Sequence, residues 1–249
     1  MVPTLQTSND SSDDFPFYNG QPIALSPLAW GMLMLAVVAG FAALSLPLPA
    51  GPARLIPALL FPLIPLLALR ALAGPHWRAL FRRLGPRELA LALGIALLNI
   101  AVTVAIGWVV SRWIGTHANP AVEALGRESG GARALFFLQS IPQLLGEELL
   151  TLLPLLALLS WFSGHLGLPR RRALLLAWLL SALPFALAHL PTYQWNLAQC
   201  LLVIGSARLV LSLAYLLSKN ILVSTLAHVL NDWMLFGGAI VLSGLAVRG

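Results

Sequence analysis

The sequence predicts an all-α protein, a polytopic bundle of about seven transmembrane helices. Three observations point there. Hydrophobic residues fill 59% of the 249 positions and charged residues only 10%, against about 45–50% and roughly 25% in a soluble domain, and the mean hydropathy is +0.85. Seven apolar stretches reach the roughly 20 residues that a helix needs to cross a bilayer. No period-2 alternation of the outer-membrane barrel type occurs, and backbone polar groups in lipid must be satisfied within a helix or a closed barrel. The same composition excludes a soluble globule, and also a disordered chain, which needs low hydrophobicity and high charge.

Residues 1–25 are polar and acidic, with Asp10, Asp13 and Asp14 and no Lys or Arg. A signal peptide opens with a basic segment followed by an apolar one, so this stretch reads as a flexible tail that is retained. Spans are expected at 26–46, 53–73, 87–114, 133–163, 171–190, 195–217 and 221–246, the fourth long enough to tilt or project. They divide into an N-terminal unit, 26–130, and a unit carrying the polar residues, 131–249. Residues 76–84 combine Trp77 and Phe81 with Arg78, Arg82 and Arg83, and read as a short interfacial stretch, aromatics down and Arg out.

Basic residues gather in alternate loops: Arg78, Arg82, Arg83 and Arg87, then Arg170, Arg171 and Arg172, then Lys219. The positive-inside rule therefore puts the amino terminus in the cytoplasm and the carboxyl terminus outside. The net charge of +6 is assigned to topology and to anionic membrane lipids, not to nucleic acid. All the basic residues but Lys219 are Arg, a bias of GC-rich genomes that suggests a bacterial inner-membrane protein. The single cysteine, Cys200, excludes an intrachain disulfide.

Ionisable residues inside a span are costly and mark function. Six qualify: Glu147 and Glu148 in the fourth span, His189 in the fifth, Arg208 in the sixth, and His228 and Asp232 in the seventh. Adjacent glutamates diverge by about 100° around a helix, so one can face a cavity while the other pairs elsewhere. Phe185 and His189, four apart, share a face, and Pro184 before them predicts a kink. Asp232 lies four residues past His228, so it can orient the ring and select its tautomer, with Asn231 as the substitute. Carboxylates and imidazoles converging from three spans suit a hydrolytic site, in which one group takes a proton from water and others stabilise an oxyanion. They equally suit a divalent metal such as zinc with an open position. No His-Glu-x-x-His is present. A Gly-x-Ser-Gly motif is absent too, and Trp161-Phe162-Ser163-Gly164 has Trp where its first Gly belongs.

The order Glu147-Glu148, Phe185-x-x-x-His189 and His228-x-x-x-Asp232, each motif on its own span, resembles the CPBP family. This family comprises the type II CAAX prenyl endopeptidases and the Abi, bacteriocin-processing membrane proteases. The resemblance covers about residues 133–246, with 183–189 and 218–232 similar to the second and third motifs. It implies a membrane-embedded endopeptidase acting on a membrane-associated peptide or protein. Glu147 would activate water, His189 would help hold it, and His228 and Asp232 would face the scissile carbonyl oxygen. Glu148 would be the family's second glutamate. Both metal-dependent and metal-free glutamate mechanisms are proposed for the family, so the resemblance leaves the cofactor open between a divalent metal such as zinc and none.

One position departs from the pattern. The family's first motif reads Glu-Glu-x-x-x-Arg, and here the Arg position is Leu152. Arg208 is expected to pair with Glu148 in its stead. The alternatives are a catalytically inactive relative serving as immunity factor, adaptor or scaffold, and a proton-relay transporter, although no paired half-repeats with interrupted helices are evident. The oligomeric state stays open. In a simple up-down bundle His189 lies about 28 Å along its helix from Arg170, and His228 about 12 Å from Asn220. Convergence then requires a projecting turn at Arg170–Arg172, an irregular sixth span, or tilted helices.

Overall fold

The structure, a computed structural model, describes residues 14–49 and 51–246, with side chains as far as residue 241. All seven apolar stretches are helical. Helix α1 is Pro27–Ala43, α2 Leu55–Ala73, α3 Pro86–Trp113, α5 Gly130–Gly164 and α6 Arg170–Ala188. A short α4, Pro120–Arg127, precedes α5. The sixth stretch starts as α7, Leu197–Gln199, passes through a π-helical turn at Cys200–Ile204 and continues as α8, Gly205–Ser218. Helix α9 is Ile221–Ala246. Among the described residues, Pro52–Leu80, Pro86–Trp113, Gly130–Gly164, Arg170–Ala188 and Leu197–Ser218 are long and apolar enough to cross a membrane. At 17 residues α1 is shorter, and α9 runs for 26.

Local chemistry sets the helix starts. Ser26, Asn119, Ser129 and Asn196 are N-caps whose side-chain oxygens accept a hydrogen bond from a first-turn backbone N–H, which satisfies an otherwise orphaned donor. Pro27, Pro86 and Pro120 occupy first helical positions, where a missing N–H costs nothing. Lys219 adopts a left-handed conformation (φ 53°) that ends α8. Asn220 then anchors the start of α9, its side chain accepting from the Arg82 N–H at 3.1 Å and donating to the Arg82 carbonyl at 3.0 Å.

Helix α5 runs through the centre and packs against α1, α2, α6 and α9. Its buried Leu149, Leu152, Leu153, Leu155, Leu156 and Leu159 form the spine of the main core. A second core joins α3, α8 and α9 through Ala92, Ile95, Leu211, Ala214, Val223 and Ala227. Of the three ways in which the spans could converge, the irregular sixth span is present. In its π turn the Gly205 N–H reaches the Cys200 carbonyl, five residues back.

The amino-terminal stretch differs from the flexible tail expected over 1–25. Residues 1–13, with Asp10 and Asp13, lie outside the described residues, as do 247–249 of the C-terminal unit. From residue 14 onward the chain packs: Phe15 and Phe17 are buried in the main core. The physical reason is aromatic burial within a polar-looking segment, reinforced by charge. The Phe15 ring has the Arg170 guanidinium at 5.5 Å and the Lys219 ammonium at 6.0 Å. Asp14 accepts from Arg170 at 2.5 Å and 3.0 Å and from the Tyr18 hydroxyl at 2.5 Å. Partial burial opposes the Asp14 charge, but the hydrogen bonds from Arg170, Tyr18 and the Phe15 N–H outweigh it and hold the carboxyl below its ordinary value. Burial and the adjacent Asp14 push the Tyr18 phenol up. In residues 76–84 Leu80 is buried, Trp77 and Phe81 stack edge-on and pack on the core, and Arg78 and Arg83 are exposed.

Candidate active site

Glu147 and Glu148 lie midway along α5. Gly146 before them permits an unusually close approach to α2, because a Cβ there would fall 2.4 Å from Cγ of Phe61. The two glutamates diverge as helix geometry requires and meet the same partner from two directions. That partner is His228 of α9. Its Nδ1 lies 2.9 Å from Oε1 of Glu148, and its Nε2 lies 3.8 Å from Oε2 of Glu147 and 3.8 Å from Oδ1 of Asp232.

Glu148 is fully buried and fully engaged. Arg208 of α8, also fully buried, forks onto it with Nη1 donating to Oε1 at 2.7 Å and Nη2 donating to Oε2 at 3.1 Å. The pair expected from the Leu152 departure is therefore present. Leu152 itself is buried in the apolar core, and the cation arrives from another helix. The Arg208 guanidinium also lies 5.1 Å from the Phe185 ring centre, while its Nε has no partner among the described residues.

The i,i+4 spacing pointed to Asp232 as the group that orients the His228 ring, and in the structure Glu148 takes Nδ1: its carboxylate can only accept, so Nδ1 carries a proton and Nε2 turns towards Glu147 and Asp232. Asn231 does not substitute for Asp232 at the ring either. It donates from Nδ2 to Oδ1 of Asp232 at 2.9 Å, while its own Oδ1 accepts from Nδ2 of Asn99, on α3, at 2.9 Å.

Phe185 and His189 share a face, as expected, with ring centres 4.6 Å apart. The Phe185 ring also lies 6.1 Å from that of His228. His189 caps the C-terminus of α6, and its Nδ1 donates to the Phe185 carbonyl at 2.8 Å, which leaves Nε2 as the accepting nitrogen. Among the described residues that ring bonds to no carboxylate. It faces Tyr193 at 6.5 Å. Burial pushes the Tyr193 phenol up, and the neighbouring Asp232 and Glu147 carboxylates push it the same way.

Three further residues shape the site, two amides and one tyrosine. Gln143, one turn before Glu147, donates to Oε1 of that carboxylate at 3.1 Å. Asn99 and Tyr193 approach from α3 and from the loop after α6. For Gln143 and Asn99 the available signal was an amide inside an apolar span.

The arrangement presents one partly open carboxylate, Glu147, beside an imidazole nitrogen held by a neutralised ion pair. Such a group can take a proton from water while the imidazole faces a polarised carbonyl. Among the described residues no group of three or more His, Cys, Asp or Glu side chains is disposed to hold a metal ion. Nδ1 of His228 and both Glu148 oxygens are engaged, so the open donors are Nε2 of His228, Glu147 and Asp232.

Residues 130–234 match the sequence model of the Rce1-like family, described as type II CAAX prenyl endopeptidases. No curated protein and no solved structure matches the chain. The matched segment begins with α5 and ends two residues past Asp232, so it contains all three motifs and every convergent group described above except Asn99. Through that segment the chain is similar to the Rce1-like type II CAAX prenyl endopeptidases, a match that supports membership of the CPBP family.

Proposed function

We propose that the protein is a membrane-embedded endopeptidase that hydrolyses a peptide bond in a membrane-associated protein or peptide, with Glu147, His189, His228 and Asp232 at the reacting atoms. The observation that carries this reading is the placement of the His228 ring between two adjacent glutamates, one neutralised by Arg208 and the other partly open. Glu147, aligned by Gln143, takes a proton from water, and the oxygen of that water attacks the scissile carbonyl carbon. His189 orients the same water through its free Nε2. The carbonyl oxygen gains negative charge, and Nε2–H of an imidazolium His228 donates to it, with Asp232 balancing the charge on the ring. Glu147 then passes its proton to the leaving nitrogen as the C–N bond breaks, yielding a carboxylic acid and an amine. Glu148 and Arg208 do no proton transfer in this scheme, and hold His228 in register.

An inactive scaffold was the competing reading, and its main support was Leu152. The Arg208–Glu148 fork supplies a cation in place of the one missing at Leu152, which supports the active reading. The loops bearing Arg78, Arg83 and Arg170–Arg172 are assigned to the cytoplasmic face, with the amino terminus on the same side.

The test uses the full-length protein in liposomes with two quenched-fluorescent peptides of one sequence. One peptide ends in a farnesylated CAAX tetrapeptide and the other is not prenylated. Cleavage of at least one is expected, and Glu147→Gln and His189→Ala should each abolish it while the protein remains folded. Full activity in either variant overturns the reading. The two peptides together report whether a lipid group is part of the substrate.

A further inference from the structure

Asn99 is almost wholly buried midway along α3, outside the segment that carries the family match. Burying an amide is costly unless it is hydrogen-bonded, and Asn99 sits on a mostly apolar face of α3, with Ala92, Ile95 and Ala96 buried beside it and Thr103, its hydroxyl buried without a partner, one turn on. Asn99 makes one side-chain bond among the described residues, the donation from Nδ2 to Oδ1 of Asn231, and its own Oδ1 has no partner. An amide kept in a span for a single donation points to what that donation does.

A side-chain amide has one accepting end and one donating end. Because Asn99 occupies the accepting end of Asn231, only the Asn231 Nδ2 remains to face Asp232, and it does so at 2.9 Å. The chain therefore has a direction, from Asn99 through Asn231 to the Asp232 carboxylate. Turned over, the Asn231 amide would set its oxygen against the Asp232 oxygen, a repulsive contact. The far end of the chain lies 3.8 Å from Nε2 of His228, on the side of the ring that also faces Glu147.

We propose that Asn99 is a positioning residue of the active site, fixing through Asn231 the orientation in which Asp232 faces His228. The inference rests on the endopeptidase reading above. It makes α3, which the family match does not include, a working part of the site. Asn99 touches no reacting atom and acts only through its neighbour.

The test compares wild type, Asn99→Leu, Asn231→Leu and the double variant as full-length proteins in liposomes. Cleavage of the farnesylated and unprenylated peptides is followed alongside thermal unfolding, with Glu147→Gln as control. Misplacing a catalytic group by 1 Å costs about a hundredfold. Asn99→Leu is therefore expected to lower kcat by about tenfold or more and to leave KM within about twofold. The double variant should be no slower than the slower single one, because both singles break the same chain. A merely structural amide would shift the unfolding temperature and leave kcat alone.

Wild-type kcat in Asn99→Leu, or rate losses that multiply in the double variant, overturns the proposal. If Asn99→Leu does not fold, Asn99→Ala carries the same expectations. A dead Glu147→Gln beside a fully active Asn99→Leu removes the positioning role alone. A Glu147→Gln as active as wild type removes the endopeptidase reading. The chain is then judged on unfolding, where losses that simply add across the two asparagines overturn it.

Discussion

Glu148 has both oxygens committed at zero exposure, to Arg208 and to His228. Removing one partner of a buried ion pair leaves an uncompensated charge and costs about 3–5 kcal/mol. Arg208→Leu should accordingly lower the thermal unfolding temperature sharply in detergent. Arg208→Lys should recover only part of it, since an ammonium cannot form the two-pronged contact. Leu152→Arg offers a sharper check, because it restores the family's own cation one turn from Glu148. Alone it should destabilise, by forcing a second charge into a filled core. Combined with Arg208→Leu it should perform better than Arg208→Leu by itself. At Gln143 the expected effect is on rate: Gln143→Leu should slow cleavage by about tenfold, as a misaligned general base does, and leave the unfolding temperature unchanged.

How much was legible at this scale follows from cost. Charges in lipid are rare enough to be found by inspection, so Glu147, Glu148, Arg208, His228 and Asp232 stood out, and the Glu148–Arg208 pair followed from a missing charge. Asn99 and Gln143 did not, because amides are cheaper in a span and their partners lie on other helices or show only as helix spacing.

Among the elements, the helices were legible because a span needs a long apolar run, and every such run is a helix. The packing of α5 on α2 was not, since nothing in the spacing marks Gly146 as the contact. Its replacement gives a direct measurement. A methyl at Gly146 would lie within 2.4–2.9 Å of Phe61 ring atoms. Gly146→Ala should push α5 away from α2 next to Glu147, lowering both stability and cleavage.

The amino-terminal hook was misread because its polar residues outnumber Phe15 and Phe17, although these two supply the burial. Asp14 gives it a pH signature. Its folded-state value lies below the ordinary 3.8. The stabilisation is therefore complete above about pH 4 and is lost as pH falls through the lower, folded-state value. The Asp14–Arg170 pair is partly exposed, so Asp14→Asn should cost no more than about 1 kcal/mol. That cost should be present at pH 7 and shrink below about pH 4, as read by unfolding at a series of pH values.

For the whole molecule, the family match spans residues 130–234, yet the site draws on more. Phe61 of α2 seats α5, Asn99 of α3 bonds to Asn231, and Arg82 is bonded to Asn220 at the start of α9. The two halves are therefore expected to unfold together. Expressing residues 130–249 without α1–α3 should give a protein that neither unfolds cooperatively nor cleaves the peptides, and mixing in residues 1–129 should restore both in part. The sequence showed where the motifs begin and left open what supports them, because contacts between distant helices have no local periodicity.

Moving the cation from position 152 to position 208 also changes how the chain is made. With Arg at 152 the charges would enter the membrane on one helix, a turn apart, already paired. Here 60 residues separate them, which at 5–20 residues per second is roughly 3–12 s of synthesis. During that interval α5 sits in the bilayer with Glu148 unanswered, and the charge is balanced only when α8 has been made and docks. The expected consequence is that a nascent chain becomes more stable once α8 has been made. Chains stopped after residue 204 expose a lone carboxyl to membrane quality control, and chains stopped after residue 218 do not. Their half-lives in cells should differ accordingly, and Glu148→Gln should narrow the difference.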